Sequence, residues 1–435
     1  MSARVTALSA LIACRKQGAW ADGVLKEYIA RDKLDRRDAA LASRLCYGVL
    51  QNRMLLDYHI QTLLTGSIRK LQPVVLDILR LGLYQILLMD KIPVSAAVNE
   101  AVEQGKRYAN RSAAGLINGV LRRAVREREL MQAPQDLSVR YSHPGELVAL
   151  LTDSVGENEI EALLASHNEP AQTTIQVNTL VTGDDDVLQA LKEAGAEASH
   201  HPWLRHAYYI SGFGNLEQIP LFREGGFFVQ DPAARLAVEA AGLRPGMTVL
   251  DGCSAPGGKS FAAALAMENR GRIYSCDIHE HKIELLRKGA KRLHIDIMKP
   301  MLQDASKPVE GWRDAMDAVI ADVPCSGFGV IRKKPDIRYK DLTELSKLPE
   351  VQKRILNQLS AYVKPGGVLL YSTCTILKRE NEAVVQWFLE NHPEFSLEAF
   401  PLPDGLPART EGMLTLLPSI HGTDGFFIAK LRRSK

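Results

Sequence analysis

The sequence is poor in the features that would indicate a membrane, a metal site or an oxidising compartment. Its six cysteines include no Cys-x-x-Cys pair, which argues against a zinc site and, in a chain of 435 residues, against a disulfide framework. No apolar run is long enough to span a bilayer, and the first residues lack a signal-peptide core. We therefore expect a cytoplasmic, reduced protein without a metal or a membrane partner, whose thiols are free to react.

Charge of one sign is also scarce, since the formal net charge is only +3. A nucleic-acid surface would have to come from local clusters, and basic residues are concentrated in three stretches. These are Lys106 and Arg107 with Arg111; Arg122, Arg123, Arg126 and Arg128; and Arg332, Lys333 and Lys334 with Arg338 and Lys340. A solvated helix face explains any single stretch equally well.

Hydrophobic spacing divides the chain into three regions. From residue 1 to about 135, apolar residues recur at helical spacing without strand alternation, which predicts an independent all-α bundle. Residues 140–230 mix helical and strand-like stretches, including a helix over 145–166, and predict a small α+β module. Residues 231–435 alternate strands and helices, which is typical of a parallel, doubly wound Rossmann-like sheet. Residues 425–430 are predicted to form a last strand, antiparallel at the sheet edge.

A glycine-rich loop follows the first predicted strand of this sheet. Residues 251–259 read Asp-Gly-Cys-Ser-Ala-Pro-Gly-Gly-Lys and run into a helix, where glycines and free N–H groups allow a ligand to come close. A phosphate loop has four residues between its first glycine and Gly-Lys-Ser. Here five residues separate Gly252 from Gly258, and Pro256 has no N–H to offer a phosphate. An NTPase is therefore a distant alternative.

Acidic residues follow the next strands in order. Asp277 ends the second strand, where a carboxylate can accept both hydroxyls of a ribose. Asp304, after the third strand, is placed to meet an adenine amino group, and Asp322 follows the fourth. Any one of them is more often a cap or a surface residue. Together, and without a phosphate cradle, they favour S-adenosylmethionine over NAD or ATP as the cofactor.

Two cysteines stand just beyond predicted strands, Cys325 in Asp-Val-Pro-Cys-Ser-Gly and Cys374 in Ser-Thr-Cys-Thr. Carboxyl ends of strands in open α/β sheets face the ligand, so both thiols should meet the cofactor loop. A pyrimidine C5 is too weakly nucleophilic to take a methyl group directly. A thiolate added to C6 makes C5 reactive, and a base then removes the C5 proton so that the thiolate can leave. Sequence logic alone does not say which thiol attacks.

These motifs together resemble the RNA (cytosine-5)-methyltransferases of the Nol1/Nop2/Sun type. The resemblance is carried by Asp322-x-Pro-Cys-Ser-Gly327, Ser372-Thr-Cys374 and Ala255-Pro-Gly-Gly-Lys259, and by residues 329–338, which are similar to the loop after the first cysteine of that family. The N-terminal helices, with Val-Asn-Glu-Ala-Val at 98–102 and Ile-Asn-Gly-Val-Leu at 117–121, resemble the NusB RNA-binding fold. NusB-like helices joined to this catalytic region narrow the resemblance to bacterial members that act on 16S ribosomal RNA.

The resemblance implies roles for individual residues. Cys374 would attack C6, Cys325 would assist proton removal and product release, and Asp322 would contact the base and the cofactor. Lys259 belongs to the implied catalytic residues. The residues implied to hold S-adenosylmethionine are Cys253, Ser254, Ala255, Pro256, Gly257, Gly258, Lys259, Asp277, Asp304 and Asp322. The middle module would be RNA-recognition-like, and the substrate would be 16S ribosomal RNA, naked or in a partly assembled small subunit, bound by a monomer.

Five positions depart from the pattern, and three of them, Gly252, Ser254 and Ser260, are small changes in a loop that tolerates small residues. Gln176 replaces an arginine usual in the family, which puts the role of the middle module in doubt, and Tyr339 stands where tryptophan is common. A second hypothesis is a NusB-like RNA-binding or antitermination factor without catalysis. Under this hypothesis the two thiols and the three ordered acids would have no function.

Overall fold

The computed structural model describes residues 2–17 and 19–435. They form two compact units. The first unit contains the chain up to Asn168 together with Lys333–Lys340, and the second contains Glu169–Arg332 and Asp341–Lys435. The division into three domains at residues 135–140 and 230–231 stays a prediction.

The first unit is helical. Its α-helices are α1 (Ala3–Gln17), α2 (Ala21–Arg31), α3 (Arg36–Gln51), α4 (Arg53–Leu63), α5 (Pro73–Leu88), α6 (Val94–Tyr108), α7 (Arg111–Glu127), α8 (Leu137–Arg140), α9 (Gly145–Val155) and α10 (Ile160–Ser166). Short 3₁₀ turns lie at Ile68–Lys70, Arg128–Leu130 and Pro335–Tyr339. Helices α9 and α10 lie in this unit.

Helix α5 is the centre of the bundle. Pro73 stands in its first turn, where a missing N–H costs nothing, and its side chains are apolar nearly all round, as expected for a buried helix. Gly48 of α3 allows the Tyr84 ring to pack directly against the α3 backbone, because a Cβ there would overlap the ring. Asn110 caps α7 by accepting a hydrogen bond from the Ala113 N–H. The predicted all-α bundle is confirmed.

The second unit contains all the strands of the described chain. Its strands are β1 (Thr173–Val177), β2 (Glu197–His200), β3 (Ala207–Ser211), β4 (Phe227–Val229), β5 (Thr248–Asp251), β6 (Arg272–Asp277), β7 (Met298–Leu302), β8 (Met316–Asp322), β9 (Val363–Thr373), β10 (Phe395–Leu397), β11 (Met413–Leu416) and β12 (Phe426–Arg433). Its α-helices are α11 (Asp184–Glu193), α12 (Pro220–Arg223), α13 (Pro232–Ala241), α14 (Gly258–Ala266), α15 (Glu280–Arg292), α16 (Leu342–Leu345), α17 (Leu348–Ser360), α18 (Glu382–Asn391) and α19 (Pro418–His421). Short 3₁₀ turns lie at Leu216–Gln218, Phe328–Val330 and Lys378–Glu380.

Strands β1 to β4 form a small antiparallel sheet in the order β2-β3-β1-β4. Alternate residues of β1, Ile175 and Val177, are buried in the same cluster as Val187 and Leu191 of α11. This period-two pattern against an amphipathic helix is why the stretch folds as a sheet with one helix-covered face. The predicted α+β module is confirmed as a fold.

The larger sheet has eight strands in the order β10-β12-β9-β8-β5-β6-β7, with β11 also paired to β12. The strands from β9 to β7 along this path are parallel, as predicted. Strand β12 is antiparallel to β9, as predicted, but the prediction that it forms the sheet edge is wrong, because β10 and β11 both pair with it.

The register of the parallel strands brings their carboxyl ends together. Asp251 at the end of β5 pairs with Ser275 of β6, and Asp322 at the end of β8 pairs with Ser372 of β9. No α-helix in the described ranges is long and apolar enough to cross a membrane. The loops that follow these strands build the site described next.

Candidate active site

A cavity of about 590 Å³ opens at the carboxyl ends of the parallel strands. Loops after β5, β6, β7, β8 and β9 all contribute to it. The sequence-predicted residues that line it are Cys253, Ala255, Asp277, Asp304, Asp322, Cys325 and Cys374. The structure thus brings both thiols and all three ordered acids to one cavity.

The glycine-rich loop forms the β5 side of the cavity. Ser254 is buried and donates both its N–H and its Oγ–H to the Cys276 carbonyl, which ties the loop to β6. Gly257 has a φ of +115°, and its N–H closes a turn on the Ser254 carbonyl at 2.8 Å. Ser254, Pro256, Gly257 and Gly258 are not among the residues that line the cavity, and their part in holding a cofactor stays a prediction.

The two acids after β6 and β7 are fixed by backbone N–H groups. Asp277 is 7% exposed, accepts a hydrogen bond from the His279 N–H at 3.0 Å and has Lys282 Nζ at 3.5 Å. Asp304 accepts from both the Oγ–H and the N–H of Ser306, and these bonds lower its pKa. Asp304 is therefore a local cap as well as a cavity residue, which combines the two interpretations that its sequence position allowed.

Asp322 is held by two donors at the end of β8. Lys259 Nζ donates to Oδ2 at 2.7 Å, and Ser372 Oγ donates to Oδ1 at 2.8 Å. Burial disfavours the charge of Lys259, but the carboxylate of Asp322 outweighs burial and the pKa of Lys259 is raised. Lys259 does not line the cavity, and its Nζ contacts Asp322 and lies 4.9 Å from the centre of the Phe426 ring.

The two cysteines touch each other. Cys325 Sγ and Cys374 Sγ are 3.2 Å apart, and both thiols are free. The segments that carry them are joined by Ser326 Oγ and Thr375 Oγ1 at 2.8 Å, and by the Gly329 N–H, which donates to the Cys374 carbonyl at 3.0 Å. These two hydrogen bonds link the positions of the two cysteine loops.

The contact makes the two thiols unequal. The hydrogen bond with Cys374, followed by burial, raises the pKa of Cys325 well above its ordinary value. The hydrogen bond from Cys325 is also the largest cause of the lowered pKa of Cys374, and Lys259 lowers it further. These directions favour ionisation of Cys374 over Cys325, and when Cys374 is ionised Cys325 is the donor in their contact.

Sequence reasoning missed other residues of the cavity. They are Gly252, Ile278, His279, Lys282, Ala305, Ser306, Val323, Pro324, Val351, Arg354 and Ile355. Three of them, Val351, Arg354 and Ile355, lie on α17 at spacings of three and four, which is one face of a helix. That spacing indicates a shared helix face, but nothing in the sequence indicates which helix covers the cavity.

The basic stretches predicted from the sequence differ in their exposure. In the first unit, Lys106, Arg111 and Arg122 line a groove of about 800 Å³ on α6 and α7, together with Asn99 and Asn118. Arg338 is only 1% exposed, and the suggestion that it joins a nucleic-acid surface is wrong, because its guanidinium is buried and donates to internal carbonyl groups. In the described part of the chain, no three His, Cys, Asp or Glu side chains are grouped to hold a metal ion.

Comparison with known proteins agrees with this architecture. Family models described as NusB family, RsmF/B-like ferredoxin-like domain, and 16S rRNA methyltransferase RsmB/F match residues 1–126, 143–217 and 240–432. A Bacillus subtilis (strain 168) protein named probable ribosomal RNA small subunit methyltransferase B is 36% identical over 444 residues, which cover 99% of both chains.

Solved structures show the same fold. The crystal structure of PH0851 has a TM-score of 0.81 and 28% identity, and the match covers 99% of this chain and 98% of that one. NSun6 from Pyrococcus horikoshii with SFG has a TM-score of 0.61 and 21% identity over 67% of this chain and 98% of that chain, and it shows the fold alone. The resemblance found in the sequence is confirmed, and the chain belongs to the RsmB/F family of 16S ribosomal RNA methyltransferases.

Proposed function

We propose that this protein methylates C5 of a cytosine in 16S ribosomal RNA, using S-adenosylmethionine and a transient bond between Cys374 and C6 of the base. The observation that carries the proposal is the 3.2 Å contact between two free thiols in a cavity that also holds three acids. A protein that only binds RNA has no use for an ionisable cysteine beside a second, protonated one.

The cavity suits S-adenosylmethionine in its donor set. Asp277 offers a carboxylate at the end of β6 for ribose hydroxyls, and Asp304 offers another after β7 for an amino group. Cys253 and Ala255 of the glycine-rich loop line the cavity. When bound, the cofactor would supply an electrophilic methyl group.

The chain's own residues fit the remaining steps. The Cys374 thiolate adds to C6, which makes C5 nucleophilic enough to accept the methyl group. The C5 proton must then leave so that the Cys374–C6 bond can break and the aromatic ring is restored. In this proposal Cys325, which contacts Cys374, assists this release, and Asp322, which is held by Lys259, contacts the base.

Two cysteine variants test the assignment. Cys325→Ala should trap a covalent protein–RNA adduct, because methyl transfer proceeds and release fails. Cys374→Ala should form no adduct. The measurement is a denaturing gel of protein incubated with ribosomal RNA and labelled cofactor, with tritium counted in the RNA. The reverse pattern would show that the roles are exchanged, and no C5-methylcytosine from the parent protein would reject the function.

A NusB-like RNA-binding factor without catalysis is the second candidate, favoured by the basic groove on α6 and α7. We propose that this groove instead helps the enzyme hold ribosomal RNA by its phosphates. Mapping methylated cytosines in ribosomal RNA from a deletion strain separates the two candidates. A lost methylcytosine that is restored by the parent gene but not by Cys374→Ala supports the enzyme. Full cellular function of Cys374→Ala would support the binding factor.

A further inference from the structure

A buried carboxylate lies behind the two cysteines and takes no part in the mechanism above. Glu380 ends the 3₁₀ turn Lys378–Glu380 between β9 and α18, and its exposed fraction is 0%. Its Oε2 accepts hydrogen bonds from the Ser326 N–H and from the Gln352 side-chain amide, both at 2.9 Å. A charged residue is almost never fully buried unless it is paired, so this position calls for a reason.

Glu380 and its partner Gln352 form hydrogen bonds with the Cys325 loop on both sides of the thiol. Ser326 directly follows Cys325, and its N–H is bound by Glu380 itself. Pro324 directly precedes Cys325, and its carbonyl accepts from Gln352 Nε2 at 3.0 Å, the same amide that Glu380 binds. Gln352 is also fully buried, on α17. The main chain on either side of Cys325 is thus fixed by one buried unit.

The next residue, Asn381, forms hydrogen bonds with the residues on both sides of Cys374. Its Oδ1 accepts from Thr373 Oγ1 at 2.6 Å, and its Nδ2 donates to the Thr375 carbonyl at 3.0 Å. Thr373 and Thr375 flank Cys374, and Asn381 is fully buried. Consecutive side chains of one turn therefore hold the two flanks of each thiol.

We propose that Glu380 and Asn381 are positioning residues that set the contact between Cys325 and Cys374, so that Cys325 stays a thiol while Cys374 acts as the thiolate. The proposal deepens the proposed function and rests on it for the roles of the two sulfurs. A displacement of even 1 Å would replace the 3.2 Å contact by a gap, and the hydrogen bond that separates the two thiols would be lost.

The negative charge of Glu380 also favours the thiol form of Cys325. After the hydrogen bond with Cys374, burial and the charge of Cys374, the carboxylate of Glu380 is the next cause of the raised pKa of Cys325, followed by Asp322. The other titratable groups around the pair are Lys259 and Asp424, which act on Cys374, and Tyr371, which is influenced by Cys325. Removing the Glu380 charge should therefore make Cys325 easier to ionise and narrow the difference between the sulfurs.

Alkylation of the RNA-free protein tests the proposal. The full-length parent and the variant Glu380→Gln, which keeps one acceptor oxygen but loses the charge, are treated with iodoacetamide over a range of pH. Mass spectrometry follows the two cysteines separately. We expect Cys374 of the parent to react about tenfold or more faster than Cys325 below neutral pH, and Glu380→Gln to reduce this ratio to about threefold or less. Glu380→Asp, which keeps the charge, should restore part of the ratio.

The matched control is Glu382→Gln, the same chemical change two residues further on, where the carboxylate binds Thr415 rather than a cysteine loop. It should keep the parental ratio. If Glu380→Gln fails to fold, Asn381→Asp provides the second arm: it loses the donor to the Thr375 carbonyl and should slow alkylation of Cys374 at least threefold at about pH 7.

A folded Glu380→Gln with the parental ratio would overturn the proposal, and so would an equal change in the Glu382→Gln control. These readouts need neither RNA nor cofactor. A protein that shows the expected alkylation pattern but transfers no methyl group to ribosomal RNA would reject the proposed function and leave the positioning role intact. Normal methyl transfer together with unchanged alkylation ratios would support the proposed function and reject the positioning role.

Discussion

At the scale of single residues, the environment of Cys374 is a balance of opposing charges. After the hydrogen bond from Cys325 and the effect of burial, Asp322 raises the pKa of Cys374 and Lys259 lowers it. These two residues are themselves an ion pair at 2.7 Å. The pKa of Cys374, the proposed nucleophile, thus depends on a pair of residues that act in opposite directions, and removing either residue should leave the effect of the other.

Two variants should shift the reactivity of Cys374 in opposite directions. Asp322→Asn removes the negative charge, so alkylation of Cys374 should begin at lower pH than in the parent. Lys259→Met removes the positive charge, so alkylation should need higher pH. The pH dependence of iodoacetamide labelling measures both. Shifts of the same sign in both variants would contradict this electrostatic account.

Methyl transfer should fall in Asp322→Asn despite the more available thiolate. Asp322 is proposed to contact the base, and loss of a group that acts on the reacting base costs about 100-fold or more in rate. Single-turnover tritium transfer, compared with the alkylation profile, separates this loss from any change in the cysteine. A rate equal to the parent would remove Asp322 from the catalytic residues.

The sequence predicts where these residues lie in the sheet but not how the two thiols differ. The strand-end positions of Cys325, Cys374, Asp277 and Asp322 could be predicted, because buried apolar runs mark the strands and the carboxyl ends of parallel strands meet. The order of the two thiols could not, since it depends on a 3.2 Å contact between residues 49 positions apart. Glu380 gave no signal, because its role exists only through the loop that folds onto it.

At the scale of elements, the Phe328–Val330 turn joins the first cysteine loop to two other segments. The Gly329 N–H donates to the Cys374 carbonyl, and the Gly329 carbonyl accepts from the Gly425 N–H at 2.8 Å. The two glycines pack backbone to backbone, and a Cβ on Gly329 would overlap the Gly425 carbonyl. Here the absence of a side chain is what allows three segments to meet.

Gly329→Ala should therefore disturb the active site from behind. Overpacking of this kind costs about 1–3 kcal/mol, because backbone rather than a flexible side chain must move. We expect a lower melting temperature and at least a tenfold loss of methyl transfer, since the Gly329 N–H is bonded to the Cys374 carbonyl. Differential scanning calorimetry and the tritium assay measure the two effects.

Gly119→Ala is the control, since nothing lies within 4 Å of its added Cβ and α7 favours alanine over glycine. It should keep full activity and melt at the same or a higher temperature. Wild-type activity of Gly329→Ala would mean that the backbone contact between the two glycines is not needed for catalysis.

The element scale also shows why one prediction about β12 failed. Its apolar pattern correctly indicated a strand, and its antiparallel pairing with β9 was expected. Strands β10 and β11 are only three and four residues long, and β11 lies after a stretch rich in proline and glycine. Short strands carry little periodic signal, so the sequence made β12 look like the edge of the sheet.

At the scale of the whole molecule, the chain leaves the second unit after Arg332 and returns to it at Asp341, and the residues between belong to the first unit. Arg338 anchors this segment by donating to the carbonyls of Gln51 and Ser142 and to the Asn168 side chain. Burial lowers the pKa of Arg338 to about 10, so it stays charged at neutral pH. The sequence suggested a basic cluster here, because charge density is visible in a sequence and a partner 287 positions away is not.

Arg338→Met should destabilise the first unit. The substitution leaves several buried carbonyl groups without donors, which costs about 1–3 kcal/mol for each group that water does not reach. We expect a clear loss in melting temperature and faster proteolysis within residues 1–168. Arg338→Lys should recover only part of the stability, because an ammonium cannot reach the acceptors that a planar guanidinium spans.

Lys334→Met is the matched control, since it removes a positive charge from an exposed position of the same segment. It should leave the melting temperature within about 1 °C of the parent, because surface substitutions of this kind change stability by about 0.5 kcal/mol or less. If Arg338→Met behaves like Lys334→Met, the segment is held by Tyr339, whose hydroxyl donates to the Leu50 carbonyl and whose ring lies under Arg53, rather than by the buried guanidinium.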